Sequence, residues 1–277
     1  MPPYPRPVQT LADIKAILES RGLAPQKMFG QNFLLDHNLI RKLVDAAGVQ
    51  AGDTVLEVGP GTGALTEELI ARGCRVVAAE IDRGLSQHLR EHFRDNPLFT
   101  LVEGDCLANK RTLAPAVVEA LGPGPFSLVS NLPYGAATPV MSVLLTDYSQ
   151  CRGLFVTIQR EVADRLAAKP GSKDYGTLSV VAQVTAEVHM VAKLPPECFW
   201  PRPDVTSSMI SLTRRDRPLV EDVRGLGDFV QGLFEKRRKQ LGAVLGRERS
   251  WPAGVQPTDR AEALSLDQLI ALYRGTT

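Results

Sequence analysis

From residue 54 onward the sequence alternates short β-branched runs with helical stretches, and that alternation limits the chain to few folds. Residues 54–58, 75–79, 99–103, 126–130 and 154–158 read as strands. Residues 63–72, 82–94, 112–121 and 138–146 between them carry helical patterning. Strands joined through single helices and short loops run parallel, with helices covering both faces. The expected class is therefore α/β with a Rossmann-like sheet. After the fifth strand, residues 178–185 and 188–194 predict a helix and a strand, and 208–212 a last strand, so this sheet edge is expected to be antiparallel. Beyond Arg214 the pattern is helical to the end, with Ser265-Leu266-Asp267-Gln268 as a capping box and Leu264 and Leu269 placed as its staple. The expected division is a sheet domain over 1–213, beginning with a proline-rich tail over 1–9, and a small all-helical domain over 214–277.

Composition excludes several function classes. In 277 residues, 44% are hydrophobic and 23% charged, as in ordinary globular chains. No apolar run is long enough to span a bilayer, and Met1-Pro2-Pro3-Tyr4-Pro5-Arg6-Pro7 lacks the apolar stretch of a secretory signal. A cytoplasmic protein is expected, with Cys74, Cys106, Cys151 and Cys198 as reduced, mostly buried thiols. No metal site is expected: His37, His88, His92 and His189 form no ligand cluster, and His88 and His92, one turn apart, read as a solvated helix face. The net charge of +1 divides unevenly, with 13 Lys and Arg against 10 Asp and Glu from Pro201 onward. Clusters matter more than the sum, and Arg214-Arg215-Asp216-Arg217 and Glu235-Lys236-Arg237-Arg238-Lys239 concentrate charge. Arg214, Arg215, Lys236, Arg237, Arg238 and Lys239 are the candidate RNA contacts.

Two loops carry the chemistry. Glu57-Val58-Gly59-Pro60-Gly61-Thr62-Gly63 ends the first strand of the alternation, where a glycine turn lets a nucleotide-like cofactor approach the backbone. Taken as Gly59-x-Gly61-x-x-Ala64 it also satisfies the dinucleotide fingerprint, so the loop and Glu80, a candidate acceptor for a ribose diol, say only that the cofactor contains adenosine. Asp105, after the third strand, can accept from an adenine amino group, or cap a helix. Asn131-Leu132-Pro133-Tyr134, about seventy residues after the glycine loop, follows the fourth strand and so shares its edge of the sheet. The Asn131 side-chain oxygen and the Leu132 carbonyl can accept both N–H bonds of a base amine. Pro133 stiffens the backbone, and Tyr134 offers a ring for stacking. The set points to methylation of a nucleic-acid amino group. Phe199, in Cys198-Phe199-Trp200-Pro201-Arg202-Pro203, is a candidate for the opposite face of a flipped base, or a packed aromatic. Lys169-Pro170-Gly171-Ser172-Lys173-Asp174-Tyr175-Gly176 reads as a mobile basic loop.

In the C-terminal part Phe229, Val230, Leu233, Leu241 and Val244 share one helical face, yet Arg237 projects into it. Either the helix breaks between Phe234 and Arg237, or Arg237 leaves the core toward a cleft.

These motifs, with Phe29-Gly30-Gln31-Asn32-Phe33-Leu34, Gln159-Arg160-Glu161-Val162-Ala163-Asp164-Arg165 and Tyr175-Gly176-Thr177-Leu178-Ser179, occur in the order of one known family. The chain resembles the small-subunit ribosomal RNA adenine N6,N6-dimethyltransferases over nearly its whole length. The resemblance implies a class I S-adenosylmethionine-dependent methyltransferase sheet with cofactor contacts at Asn32, Leu34, Gly59, Gly61, Glu80, Asp105 and Asn131. It implies target-base contacts at Asn131, Leu132, Tyr134 and Phe199. It further implies dimethylation of two adjacent adenines in a hairpin near the 3′ end of 16S rRNA, on an assembling small subunit docked through the C-terminal helices; a monomer is expected. Gly135-Ala136-Ala137 and Lys239-Gln240-Leu241-Gly242 depart from the family's usual residues. The rival readings are a large-subunit adenine methyltransferase of the antibiotic-resistance type, a non-catalytic assembly factor with the same fold, and an NAD-dependent dehydrogenase. The last lacks a catalytic His, Tyr-Lys or Ser constellation after the glycine loop.

Overall fold

The computed structural model describes residues 9–26 and 29–275. Residues 1–8 of the proline tail, and Lys27 and Met28, lie outside the described residues. The chain begins with α1 (Leu11–Ser20), β1 (Phe33–Leu34), α2 (His37–Ala47), β2 (Thr54–Val58), α3 (Ala64–Ala71), β3 (Arg75–Glu80), α4 (Arg83–His92) and β4 (Phe99–Glu103). It continues through β5 (Leu107–Asn109), β6 (Thr112–Leu113), α5 (Pro115–Leu121), β7 (Phe126–Asn131), α6 (Tyr134–Asp147), β8 (Cys151–Gln159) and α7 (Arg160–Leu166). It ends with α8 (Thr177–Thr185), β9 (Ala186–Leu194), β10 (Phe199–Trp200), β11 (Ser207–Arg214), α9 (Val223–Glu235), α10 (Leu241–Leu245) and α11 (Leu266–Arg274).

Seven strands form the main sheet in the order β4-β3-β2-β7-β8-β11-β9. The first five are parallel, and β11 is antiparallel to both β8 and β9. From β2 the chain winds outward to β3 and β4, then returns to place β7 on the other side of β2. The order therefore reverses between β2 and β7, and a crevice opens at the carboxyl ends of those two strands. Both chemistry-bearing loops leave the sheet there.

Neighbouring strand residues point to opposite faces, and both faces are buried. Val55, Val76, Ala78 and Val129 join Ile40, Leu43 and Val44 of α2 and Leu65 and Leu69 of α3 on one side. Leu56, Val77, Leu128 and Val156 join α5, α6 and α8 on the other. That second core continues into Val223, Leu226, Val230 and Leu233 of α9 and Leu269, Ile270 and Leu272 of α11. The capping box from Ser265 to Gln268 is formed, and Leu264 and Leu269 are both buried.

Several expectations need correction. Residues 112–121 are not one helix: β5 and β6 form a hairpin, and α5 starts at Pro115, whose fixed φ and missing N–H suit a first helical turn. Helix α6 starts at Tyr134, four residues earlier than the periodicity suggested, with Pro133 at its N-cap. Its core face adds Ala137 to Val140, Met141 and Leu144. His88 does not face solvent. It is buried at 6% exposure, with Nε2 3.3 Å from the Thr62 carbonyl. The 169–176 loop is fastened: Tyr175 is buried against Phe234, and Gly171 donates to the Glu262 carbonyl. Of the two readings for Arg237, the helix break holds, because α9 stops at Glu235. Arg237 then turns onto the carbonyls of Ser172 and Lys173 at 3.0 and 2.7 Å, and pairs with Glu262.

Candidate active site at the strand-order reversal

A cavity of about 490 Å³ fills the crevice between the ends of β2 and β7. Gly59, Gly61, Glu80, Asp105, Asn32, Leu34, Asn131, Leu132 and Tyr134 all line it, so nearly every expected cofactor and base contact converges there.

The glycine turn has a mechanical reason for its composition. Gly59 has φ +71°, and a Cβ on it would stand 2.8 Å from Cγ of Pro133. The turn after β2 is thus pressed against the proline of the tetrapeptide after β7. Gly30 plays a similar part at φ +64°, where a Cβ would meet the Tyr134 nitrogen at 3.2 Å. Sequence reasoning quoted Gly30 only as part of a motif; its signal was its place two residues before Asn32.

Glu80 ends β3 at 4% exposure, accepting the Gly61 N–H at 3.1 Å and the Asp82 N–H at 2.9 Å. Burial pushes its carboxyl up to about 7, against the lowering effect of those donors. Glu57, not foreseen as a site residue, also lines the cavity. It accepts the Thr66 hydroxyl at 2.6 Å and is pushed up to about 8 by burial. Asp105 is exposed at the rim, where it accepts the Leu107 N–H at 2.9 Å and so caps a turn rather than a helix. Gln26 and Gln31, also unforeseen, hold Asp82 from the N-terminal segment at 3.1 and 3.0 Å.

The orientation of Asn131 follows from one contact. Its Nδ2 donates to the Asn32 main-chain carbonyl at 2.9 Å, while the Asn32 side chain donates to the Gly30 carbonyl at 3.1 Å. A carbonyl only accepts, so the nitrogen must face Asn32 and the oxygen Oδ1 is left for a ligand. Leu132 is anchored beside it by its N–H on the Thr157 carbonyl at 3.1 Å. The Tyr134 hydroxyl meets Ser207 Oγ at 2.8 Å.

Phe199 is not brought to this cavity. Its ring is 3% exposed within the core cluster containing Leu34, Leu194 and Met209, and its backbone pairs with Leu34. Apolar packing and the β1–β10 pairing pull the ring inward, whereas Trp200 stacks on Phe33, a cavity residue, at 6.2 Å between centroids. The basic candidates also divide. Arg214 donates to the carbonyls of Leu144, Tyr148 and Cys151 at 2.7, 3.2 and 2.6 Å, closing the carboxyl end of α6. Arg215 is held by the Gln183 carbonyl and Glu187, and Arg237 by the loop contacts above. Lys236, Arg238 and Lys239 are exposed.

Residues 23–275 match the family described as ribosomal RNA adenine dimethylase. The chain belongs to this family. A relative from Moorella thermoacetica named ribosomal RNA small subunit methyltransferase A is 41% identical over 275 residues, covering 94% of this chain and 95% of that protein. Among solved structures, a dimethyladenosine transferase from Plasmodium falciparum superposes with TM-score 0.72 at 19% identity, covering 87% of this chain and 95% of its own, which bears on the fold. The 23S rRNA methyltransferase ErmE superposes with TM-score 0.67 at 28% identity, covering 88% of this chain and 99% of its own. The methyl donor of such a dimethylase is S-adenosylmethionine, and the cavity suits it. Gly59, Gly61, Glu80 and Asp105 line the cavity, and the two carboxylates are acceptors of the kind that a ribose diol and an adenine amine call for. Among the described residues no group of His, Cys, Asp and Glu could hold a metal ion, and no helix is long and apolar enough to cross a membrane.

Proposed function

We propose that this adenine dimethylase methylates N6 of two adjacent adenines in the 3′-terminal hairpin of 16S rRNA, acting as a cytoplasmic monomer on the assembling small subunit. The observation that carries the chemistry is the Asn131–Asn32 contact, which leaves the Asn131 oxygen available at the cavity. An adenine amine is a poor nucleophile because its lone pair is delocalised into the ring. Asn131 Oδ1 and the Leu132 carbonyl accept its two N–H bonds and favour a more tetrahedral nitrogen, whose lone pair is then free to attack. S-adenosylmethionine supplies an electrophilic methyl on sulfonium. The remaining work is positioning, which Pro133, wedged against Gly59, and Tyr134, tied to Ser207, provide. The nitrogen loses its proton after attack, so no residue is required as a base. Glu57 and Glu80 are already engaged with Thr66, Gly61 and Asp82. Exposed Lys236, Arg238 and Lys239, just beyond α9, supply phosphate contacts.

The small-subunit target is favoured over a large-subunit one by the 41% identity with the Moorella protein against 28% with ErmE. The deciding experiment offers labelled S-adenosylmethionine and this protein to small and large ribosomal subunits from cells lacking the modification. Dimethyladenine in the small subunit alone is expected. Label in the large subunit would reassign the target, and label in neither would leave an assembly factor.

A further inference from the structure

Phe199, the aromatic of the 198–203 stretch, has its ring in the core, and the chain runs on from there to Ser207 at the start of β11. What this part of the chain sends to the site is Ser207. Ser207 opens β11, is 0% exposed, and sits between two strands, opposite Gln159 of β8 and Leu194 of β9. Its hydroxyl meets the Tyr134 hydroxyl at 2.8 Å across 73 residues of sequence. Tyr134 is otherwise the first residue of α6, whose N-cap offers no side-chain hydrogen bond. A phenol ring attached only at its Cβ can swing about χ1; the hydroxyl oxygen lies on the Cβ–Cγ axis, so tethering it fixes the direction in which the ring points. The tether comes from a fully buried strand residue, so it has little freedom of its own.

We propose that Ser207 is a positioning residue for methyl transfer: by holding the Tyr134 hydroxyl it fixes the position and direction of the ring against which the target adenine stacks. The proposal rests on the assignment of Tyr134 to the target base. It gives the first residue of β11 a task at the site. It also makes the Tyr134 hydroxyl a structural handle, with no proton transferred through it, consistent with burial keeping the phenol above its ordinary pKa.

The test is a double-mutant cycle of Ser207→Ala, Tyr134→Phe and the double variant, with single-turnover transfer to small subunits and S-adenosylmethionine affinity measured for each. Either single change removes the same hydrogen bond, so each should lower the transfer rate by about five-fold, the equivalent of one net hydrogen bond. The double variant should be no slower than either single one, and cofactor affinity should stay at the parent value. Losses that multiply in the double variant would overturn the proposal, as would parent-like transfer by either single variant. If Ser207→Ala fails to fold or to bind cofactor, Tyr134→Phe decides alone: a parent-like rate overturns the proposal. Failure of the parent protein itself to methylate small subunits would instead count against the proposed function.

Discussion

A ribose contact at Glu80, proposed from its place in the cavity, predicts that cofactor binding depends on pH. Its folded value of about 7 lies above that of an exposed glutamate because burial disfavours the charge. Two ribose hydroxyls donating to it favour the ionised form, so binding should expel the proton. Affinity for S-adenosylmethionine is therefore expected to be about ten-fold weaker at pH 6 than above pH 8, and level beyond that. Titration calorimetry in two buffers of different ionisation enthalpy checks this, and Glu80→Gln should bind weakly with no pH dependence. In the free protein the sign is opposite. The stability contributed by Glu80 and Glu57 is fully present below the ordinary glutamate value and is lost as pH rises through about 7 for Glu80 and about 8 for Glu57. Gly59 is the second residue on which the site turns. Gly59→Ala would place a methyl 2.8 Å from Pro133 at a φ of +71°, so a stability loss of about 1–3 kcal/mol and failure to bind cofactor are expected. Denaturant midpoints and calorimetry report the two effects separately.

The element scale separates cations that build the fold from those left for RNA. Replacing Lys236, Arg238 and Lys239 together by Ala should weaken small-subunit binding and flatten its salt dependence by about three counterions at most, with the melting temperature unchanged. Arg214→Ala should do the reverse, lowering the melting temperature because the carboxyl end of α6 loses its donors. The sequence could not divide this set, since the carbonyls that capture Arg214 lie 63 to 70 residues away. Long apolar runs were legible for the opposite reason: the residues that form β3 and β8 fill both faces of the sheet, and their composition records it. The two-residue strands β1, β6 and β10 have no period to detect, and β6 falls inside the expected 112–121 helix, which Pro115 in fact begins. The Asn131–Tyr134 tetrapeptide was legible as chemistry because it follows a clear strand. The side chain that anchors its tyrosine was not, because Ser207 falls just before the expected strand 208–212 and carries no pattern of its own.

At the scale of the whole molecule, the reversal of strand order between β2 and β7 brings the two loops to one crevice, and the C-terminal helices complete the core behind it. Val223, Leu226 and Val230 of α9 share a core cluster with Val180 and Val181 of α8. The chain is therefore expected to unfold in one calorimetric transition; two separated transitions would show that residues 214–277 fold independently. In the proposed function the two loops have different tasks, with the glycine turn and Glu80 holding the methyl donor and Asn131 with Leu132 holding the accepting amine. Single-turnover transfer by Asn131→Ala to unmodified small subunits, with cofactor affinity measured alongside, tests that division most directly. The account predicts transfer slowed by at least about a hundred-fold while affinity changes only a few-fold. Transfer at near the parent rate would contradict it.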